Sequence, residues 1–383
     1  MIAERPSLER RVMASLDAGR IPVVLGGCGA GRTSLLLRIE RLLGGERSQY
    51  LDFSAVMTTP ERALAAVSAV SRVRPGRMSA EPDEAATPAS PRAAFDLLMS
   101  FFDGAAASGA PAPVFLCDEV LDIRTFENFP GLRQVQRDFV ARLSASPARF
   151  VLASRFTDRT HRLLRDAPAR FEVVHLPPLT AAEVQAMAAR FDGSRRDLAH
   201  HAATIAALTG SRAAYTHLLM DALASQGPSA DPAAALAALF APDGRLTARC
   251  RESYDHRLAR ARGFGALKAI LGILADHEPQ NLTEIAQRLH RTPGSTKDYL
   301  SWLEDVDLIG MHGKRYSYED SLLRLYVRLH VKAVPPSDAD VVREVRAYAQ
   351  ARAPQTAVPT AVPVAAAIER AAEPGVSGII EID

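Results

Sequence analysis

The chain has 383 residues, enough for two or three domains with buried cores. Its 46 Lys and Arg against 44 Asp and Glu leave a net charge of +2, so no global field selects nucleic acid or a membrane surface as partner. Three scattered cysteines, Cys28, Cys117 and Cys250, exclude a disulfide scaffold, and no apolar run approaches the ~20 residues that cross a bilayer; a soluble, cytoplasmic protein without membrane contact is the expectation.

Residues 7–18 space Leu8, Val12, Met13 and Leu16 along one stripe and predict an amphipathic helix. The apolar run 21–25 predicts a strand, and it leads into Gly26-Gly27-Cys28-Gly29-Ala30-Gly31-Arg32-Thr33 and then the helical Ser34-Leu35-Leu36-Leu37-Arg38-Ile39. This is the pattern G-x-x-x-x-G-K-[ST] at every fixed position but one, Arg32 standing where lysine is usual, and it lies in the strand–loop–helix context that the motif needs. Glycines turn the backbone sharply and aim successive N–H groups, with the positive end of the following helix, at one point. A nucleotide phosphate is the natural occupant of residues Gly26 to Ser34. Thr33 offers its hydroxyl to Mg2+, and Arg32 offers the outer phosphates a planar fork instead of a compact ammonium.

A second strand is expected at 49–53, and Thr58-Thr59-Pro60-Glu61 starts a helix by placing a hydroxyl cap before proline and an acid. From 74 to 91 hydrophobic periodicity disappears, which reads as a mobile surface insertion; it resumes as a helix over 92–102. The run 113–119 predicts a buried parallel strand that delivers Asp118 and Glu119 at its carboxyl end. Behind a phosphate loop, Asp118 suits a metal held through its waters, and Glu119 suits the orientation of an attacking water.

A helix over about 131–143 and a strand over 149–153 follow, the latter ending in Ser154-Arg155. Ligands of a parallel sheet gather at such carboxyl ends, so Ser154 and Arg155 are candidates to sense a γ-phosphate. A last strand, 171–176, runs into Pro177-Pro178 and closes the domain. Alanine-rich helices at 180–191, 197–208, 211–224 and 232–240 read as a compact bundle, with Arg212 placed at a helix start from which it reaches back to the nucleotide.

Residues 265–318 repeat a different plan: helix 266–275, helix 281–289, a turn holding Pro293-Gly294-Ser295, helix 296–305 and a hairpin over 310–318. That succession reads as a helix-turn-helix with a β wing. Residues 251–332 carry 13 Lys and Arg against 11 Asp and Glu, a thin footprint for phosphate binding. Arg291, Lys297, Lys314 and Arg315 are the DNA-contact candidates, while a protein-interaction or lid-packing module is equally open. A helix over 338–351 precedes an Ala-, Pro- and Val-rich tail. The expected division is a core at 1–178 with its insertion at 74–91, a helical lid at 179–245, a winged helix at 246–332, and a helix with a loose tail at 333–383.

On these residues the chain resembles the STAND and archaeal-type ATPases of the AAA+-like P-loop group over about residues 5 to 330. The matching features are Gly26–Thr33 as Walker A, Phe115–Glu119 as Walker B, Ser154-Arg155 at the sensor-1 position, Leu176-Pro177-Pro178-Leu179 at the lid junction, and Tyr318-Glu319-Asp320-Ser321-Leu322-Leu323-Arg324 closing the winged helix. The resemblance implies an α/β P-loop NTPase with a parallel sheet in the order 5-1-4-3-2, followed by an all-α lid and a winged helix. It also implies ATP or ADP with Mg2+ as cofactors, and nucleotide-driven switching of lid and winged helix against the core. The chain departs from the group at Arg32 and at Gly210-Ser211-Arg212, which lacks the group's Gly-x-Pro. The first departure implies nucleotide binding with slow hydrolysis. The alternative is a winged-helix DNA-binding regulator or initiator-like factor with a vestigial nucleotide site. A homo-oligomer or a protein partner is compatible with either, and Arg124, Arg133, Arg159 and Arg162 are the arginines available to a neighbour's nucleotide.

Overall fold

Strands and helices alternate through the first half of the chain, as a parallel sheet requires, because each parallel pairing needs a long crossover. The computed structural model describes residues 4–44, 46–70, 88–106, 112–191, 196–226, 230–259, 263–332 and 334–353. Most of the insertion expected at 74–91, and the tail from 354 onward, lie outside these residues.

Helix α1 (Pro6–Asp17) starts on a proline, whose missing N–H costs nothing in a first turn, and β1 (Ile21–Leu25) follows. Then come α2 (Arg32–Leu43), β2 (Ser48–Asp52), the single turn α3 (Phe53–Val56), α4 (Pro60–Val70) and α5 (Pro91–Ala106). Strand β3 (Val114–Asp118) passes into a 3-10 helix, Val120–Asn128, before α6 (Val135–Ala145), β4 (Arg149–Ser154), α7 (Thr157–Leu164) and β5 (Phe171–His175). All pairings are parallel in the order β2-β3-β4-β1-β5, which is the expected 5-1-4-3-2 read from the other edge.

Both faces of this sheet are covered, and the period of two divides each apolar run between them. Val24, Leu116, Val151 and Ala153 meet Val12, Leu16, Leu35, Leu36 and Ile39 of α1 and α2. Their alternates Val23, Leu25, Phe115, Cys117, Phe150 and Leu152 join the larger core on the opposite face. There Phe102 of α5 lies edge-on to Phe115 and Phe150, with ring centroids at 4.8 and 5.6 Å. Each such buried ring is worth ~2–3 kcal/mol of transfer from water. The 3-10 helix and α7 were not foreseen, and the helix expected from residue 131 starts at Val135. Helix α7 fully buries only Thr160, with Leu163 and Leu164 half-buried against the core, too short an apolar pattern to announce a helix.

The second half is helical: α8 (Ala181–Arg190), α9 (Arg196–His200), α10 (Ala202–Thr209), α11 (Ala213–Gln226), α12 (Pro232–Leu239) and α13 (Arg245–Leu258). The single helix expected at 197–208 is two, and α13 was not foreseen. Next are α14 (Phe264–His277), β6 (Gln280–Asn281), α15 (Leu282–Leu289), α16 (Pro293–Asp305), β7 (Ile309–His312), β8 (Arg315–Tyr318) and α17 (Ser321–His330). Pro293, expected in the turn, is instead the first residue of α16, where Thr292 caps the Ser295 amide. Strands β6, β8 and β7 form a three-stranded antiparallel sheet. Helix α18 (Asp338–Arg352), grouped with the tail on sequence, packs against α12 and α17, and its Tyr348 hydroxyl donates to the Leu208 carbonyl at 2.8 Å. Among the described residues no helix is long and apolar enough to cross a membrane.

Candidate functional site

The carboxyl ends of β1, β3 and β4 lie side by side, with Leu25 opposite Ser154 and Cys117 opposite Leu152, and the glycine loop leaves the sheet at that edge. Gly31 caps α2 at φ 99°, and Gly29 stands at φ 77°, a region that side chains disfavour. A Cβ on Gly29 would also lie 3.3 Å from the Tyr215 ring. Among the described residues, the N–H groups of Gly27, Cys28, Gly29, Gly31, Arg32 and Thr33 have no acceptor. Six donors at one bend are a polar debt that an anion removes.

The loop's carbonyls are engaged. Ala214 N–H donates to Gly29 O at 2.9 Å, and Arg212 Nη1 donates to Cys28 O at 2.9 Å. Arg32 turns back on its own loop: Nη1 donates to the carbonyls of Gly26 and Gly27, and Nη2 meets Glu119 Oε1 at 2.5 Å. The outward reach expected of Arg32 is therefore not the arrangement here, because a buried carboxylate outcompetes solvent for the fork. Its Nε is buried without an acceptor among the described residues.

Glu119 is 7 % exposed at φ 51° and holds two guanidiniums, Arg32 and Arg155, the latter with Nε at 2.9 Å. The Arg155 amide also donates to Glu119 Oε2, at 3.4 Å. Burial pushes the Glu119 carboxyl up, but Arg32 and then Arg155 outweigh it and hold it below the ordinary range. Asp118 accepts from Thr33 Oγ1 at 2.5 Å and from the Tyr50 hydroxyl at 3.1 Å. Burial, then the neighbouring Glu119 charge, push its carboxyl up. The Ser154 hydroxyl accepts from the Phe156 amide at 3.1 Å, so it is spent on the start of α7. Among the described residues no group of three or more His, Cys, Asp or Glu could hold a metal alone. Thr33 with Asp118 is the partial set that suits Mg2+, an ion that keeps waters and phosphate oxygens.

Helices α8, α11 and α13 close over the loop. A cavity of ≈ 260 Å³ is lined by Gly27 to Leu35 on one side, and by Met187, Ala213, His217, Leu218 and Arg249 on the other; Cys28 alone of the loop residues in that span does not line it. Arg5 lines it too, and donates to the carbonyls of Pro177 and Pro178 at 2.7 and 3.1 Å, joining the start of α1 to the lid junction. Arg212 bridges further, with Nη2 on the Glu319 carbonyl at 2.6 Å. Tyr215 donates to Asp320 at 2.7 Å, and Asp320 caps α17 through the amides of Leu322 and Leu323. Arg5, Tyr50, Tyr215, His217 and Asp320 were not singled out on sequence. Only Asp320 carried a local signal, an acid just before a helix.

None of the DNA-contact candidates lines this cavity. Arg291 lies over the Tyr299 ring at 5.7 Å, Lys297 and Lys314 are exposed, and Arg315 is tied to the Pro279 carbonyl at 3.1 Å. The other end of α16 faces the core: Asp305 pairs with Arg162 at 2.6 Å, and Asp307 accepts from the Thr157 amide at 2.6 Å.

No protein-family model matches the chain, and no curated protein matches it. Among solved structures it is similar to a Walker-type ATPase of Pyrococcus abyssi, with a TM-score of 0.63 at 14% identity, over 86% of this chain and 96% of that one. Looser likenesses are to the ORC1 protein of Aeropyrum pernix in complex with DNA (TM-score 0.41, 13% identity, 85% of this chain and 92% of that one) and to a RuvB variant of Thermotoga maritima (0.42, 13%, 82% and 92%). The five-stranded parallel sheet, the glycine loop at the end of β1 and the likeness to the Pyrococcus protein together show that this chain has the P-loop NTPase fold.

Proposed function

We propose that the chain is an ATP-binding, slowly hydrolysing switch. The observation that carries this reading is the set of six unaccepted N–H groups in the glycine loop, five of them on residues that line the cavity shared with the lid helices. In this reading Gly26 to Ser34 cradle the phosphates, while Thr33 and Asp118 hold Mg2+. Bound Mg2+ neutralises charge on phosphate oxygens. Glu119 is the group that orients water, and two guanidiniums already occupy its oxygens, which keeps it charged but poorly available. Slow turnover follows from that engagement.

The reading divides the chain into core (1–178), lid (179–245), winged helix (246–332) and a terminal segment (333–383) whose α18 belongs with the lid. Helices α14 to α16 with the β6-β8-β7 sheet are the winged helix. Arg212 is the switch's coupling element, since it touches the loop at Cys28, starts α11 and reaches Glu319. The protein is cytoplasmic in this scheme. Calorimetric titration with ATP and ADP, with and without Mg2+, tests it: the expected result is Mg2+-strengthened binding, and no measurable heat from either nucleotide would end the switch reading.

A second reading, DNA binding by the winged helix, draws support from the exposure of Arg291, Lys297 and Lys314. Because Asp305 and Asp307 seat α16 on α7, that activity requires the winged helix to leave the core. A gel shift whose affinity falls steeply with salt and with the pair Lys314→Ala and Arg315→Ala would support it. Salt-independent binding would count against it.

A further inference from the structure

The four arginines left open on sequence, Arg124, Arg133, Arg159 and Arg162, converge with Arg137 on one cleft of ≈ 800 Å³ between the 3-10 helix, α6, α7 and α16. Two of the five are neutralised within the cleft: Arg124 by Glu127 at 3.3 Å, and Arg162 by Asp305 at 2.6 Å. Among the described residues, Arg133, Arg137 and Arg159 have no carboxylate within ion-pair range, and Asp166 is the one further acid in the lining, so five arginines face three carboxylates. Arg159 is the most confined of them. Its guanidinium lies over the Phe156 ring at 5.5 Å and over Trp302 at 5.9 Å, so its position is set by aromatic faces. Burial, then the Arg124 charge and that of Arg162, draw its pKa down against the opposing charges of Asp305 and Asp307. Like charges held together in this way are relieved by an anion. Trp302 is the chain's single tryptophan and is half-buried in the cleft wall.

We propose that this cleft binds single-stranded nucleic acid, independently of any nucleotide at the glycine loop. Exposed Arg133 and Arg137 offer two unpaired cations to backbone phosphates. Arg159, over the Trp302 ring at 5.9 Å, offers with it a charged aromatic surface to a base. A duplex presents phosphates but keeps its bases stacked inside, and cannot use a plane recessed in a wall. The cleft is also about three times the volume of the cavity over the loop, and its rim is exposed, as a strand passing through it requires.

Trp302 makes the full chain its own probe. Titration with oligothymidylate is expected to quench the tryptophan fluorescence saturably, with affinity falling as salt rises on a log–log slope of about −1.4, the value for two neutralised phosphates on a single strand. The exposed pair Arg133→Ala and Arg137→Ala should weaken binding at least about tenfold. ATP titration of the single variant Arg137→Ala, an arginine outside the set open to a neighbour's nucleotide, should be unchanged while its oligothymidylate affinity falls, which separates this site from the glycine loop. The proposal is overturned by an absence of any spectral change, by equal affinity in the double variant, by equal affinity for a duplex of the same length, or by an equal response to inorganic polyphosphate, which would mean charge without base stacking.

Discussion

Two arginine-rich regions flank this core, and they differ in what neutralises the charge. At the glycine loop the largely buried guanidiniums are answered from within, Arg32 and Arg155 by Glu119 and Arg212 by backbone carbonyls, and the exposed Arg249 alone of the cavity's arginines has no partner among the described residues. In the cleft beside α7 three guanidiniums are left over. A saturated cluster resists change until a ligand displaces one partner, so it behaves as a latch. An unsaturated one is ready for an anion from outside and needs no rearrangement. The donors without acceptors at the loop are backbone N–H groups, whose charge is partial and whose direction is fixed. On the proposed reading, recognition at the loop rests on geometry, and recognition at the cleft on charge and stacking.

The comparison breaks most visibly at Arg32. Arg32→Ala removes the partner of Glu119 and of two loop carbonyls at once, and is expected to cut ATP affinity at least ~100-fold, about 2.7 kcal/mol by calorimetry. Unchanged affinity would show that the arginine does not organise the loop. Next in size is Asp307, where α16 meets the core. Burial pushes its carboxyl up to about 6, against the Thr157 amide and Arg257. A raised carboxyl contributes stability that is complete below the unfolded value near ~3.9 and is lost as pH rises through about 6. Asp307→Asn keeps an acceptor and suits φ 52°, so melts at pH 8 should show a gain on the order of 2 kcal/mol that vanishes at pH 4. A pH-independent difference would refute the assignment.

Smaller again is Arg32→Lys. A single ammonium frees part of Glu119 while keeping the charge, and steady-state phosphate release should rise up to about tenfold, ~1.4 kcal/mol of barrier. A fall in turnover with binding intact would mean that the fork serves hydrolysis. The smallest effect is expected from Asp305→Ala, which breaks a partly exposed pair worth ~0.5 kcal/mol and frees a fourth cleft arginine. Thermal melts should barely move, while oligothymidylate affinity in the tryptophan assay should rise. A drop in that affinity would tell against the cleft as a charge-driven site.

Much of the core was legible because burial on both faces leaves a continuous apolar run. Residues 21–25 and 114–118 are such runs, and the glycines and acids at their ends mark the carboxyl edge of the sheet. Helix α7 was not legible, since it is only 8 residues long and its apolar members are the adjacent Leu163 and Leu164, too few to repeat a period. Tyr50 and Asp320 reach the site across 68 and 105 residues of chain, to Asp118 and Tyr215, distances at which a single sequence holds no pairing signal.

The order of strand, glycine loop and paired acids was determined by sequence alone, because backbone conformation at Gly29 and Gly31 and two-sided burial of strands are local consequences of residue type. Only tertiary structure decided where the guanidiniums go. A flexible cation takes whichever carboxylate or carbonyl the fold brings near, and for Arg32 that was Glu119 across the sheet edge, 87 residues away.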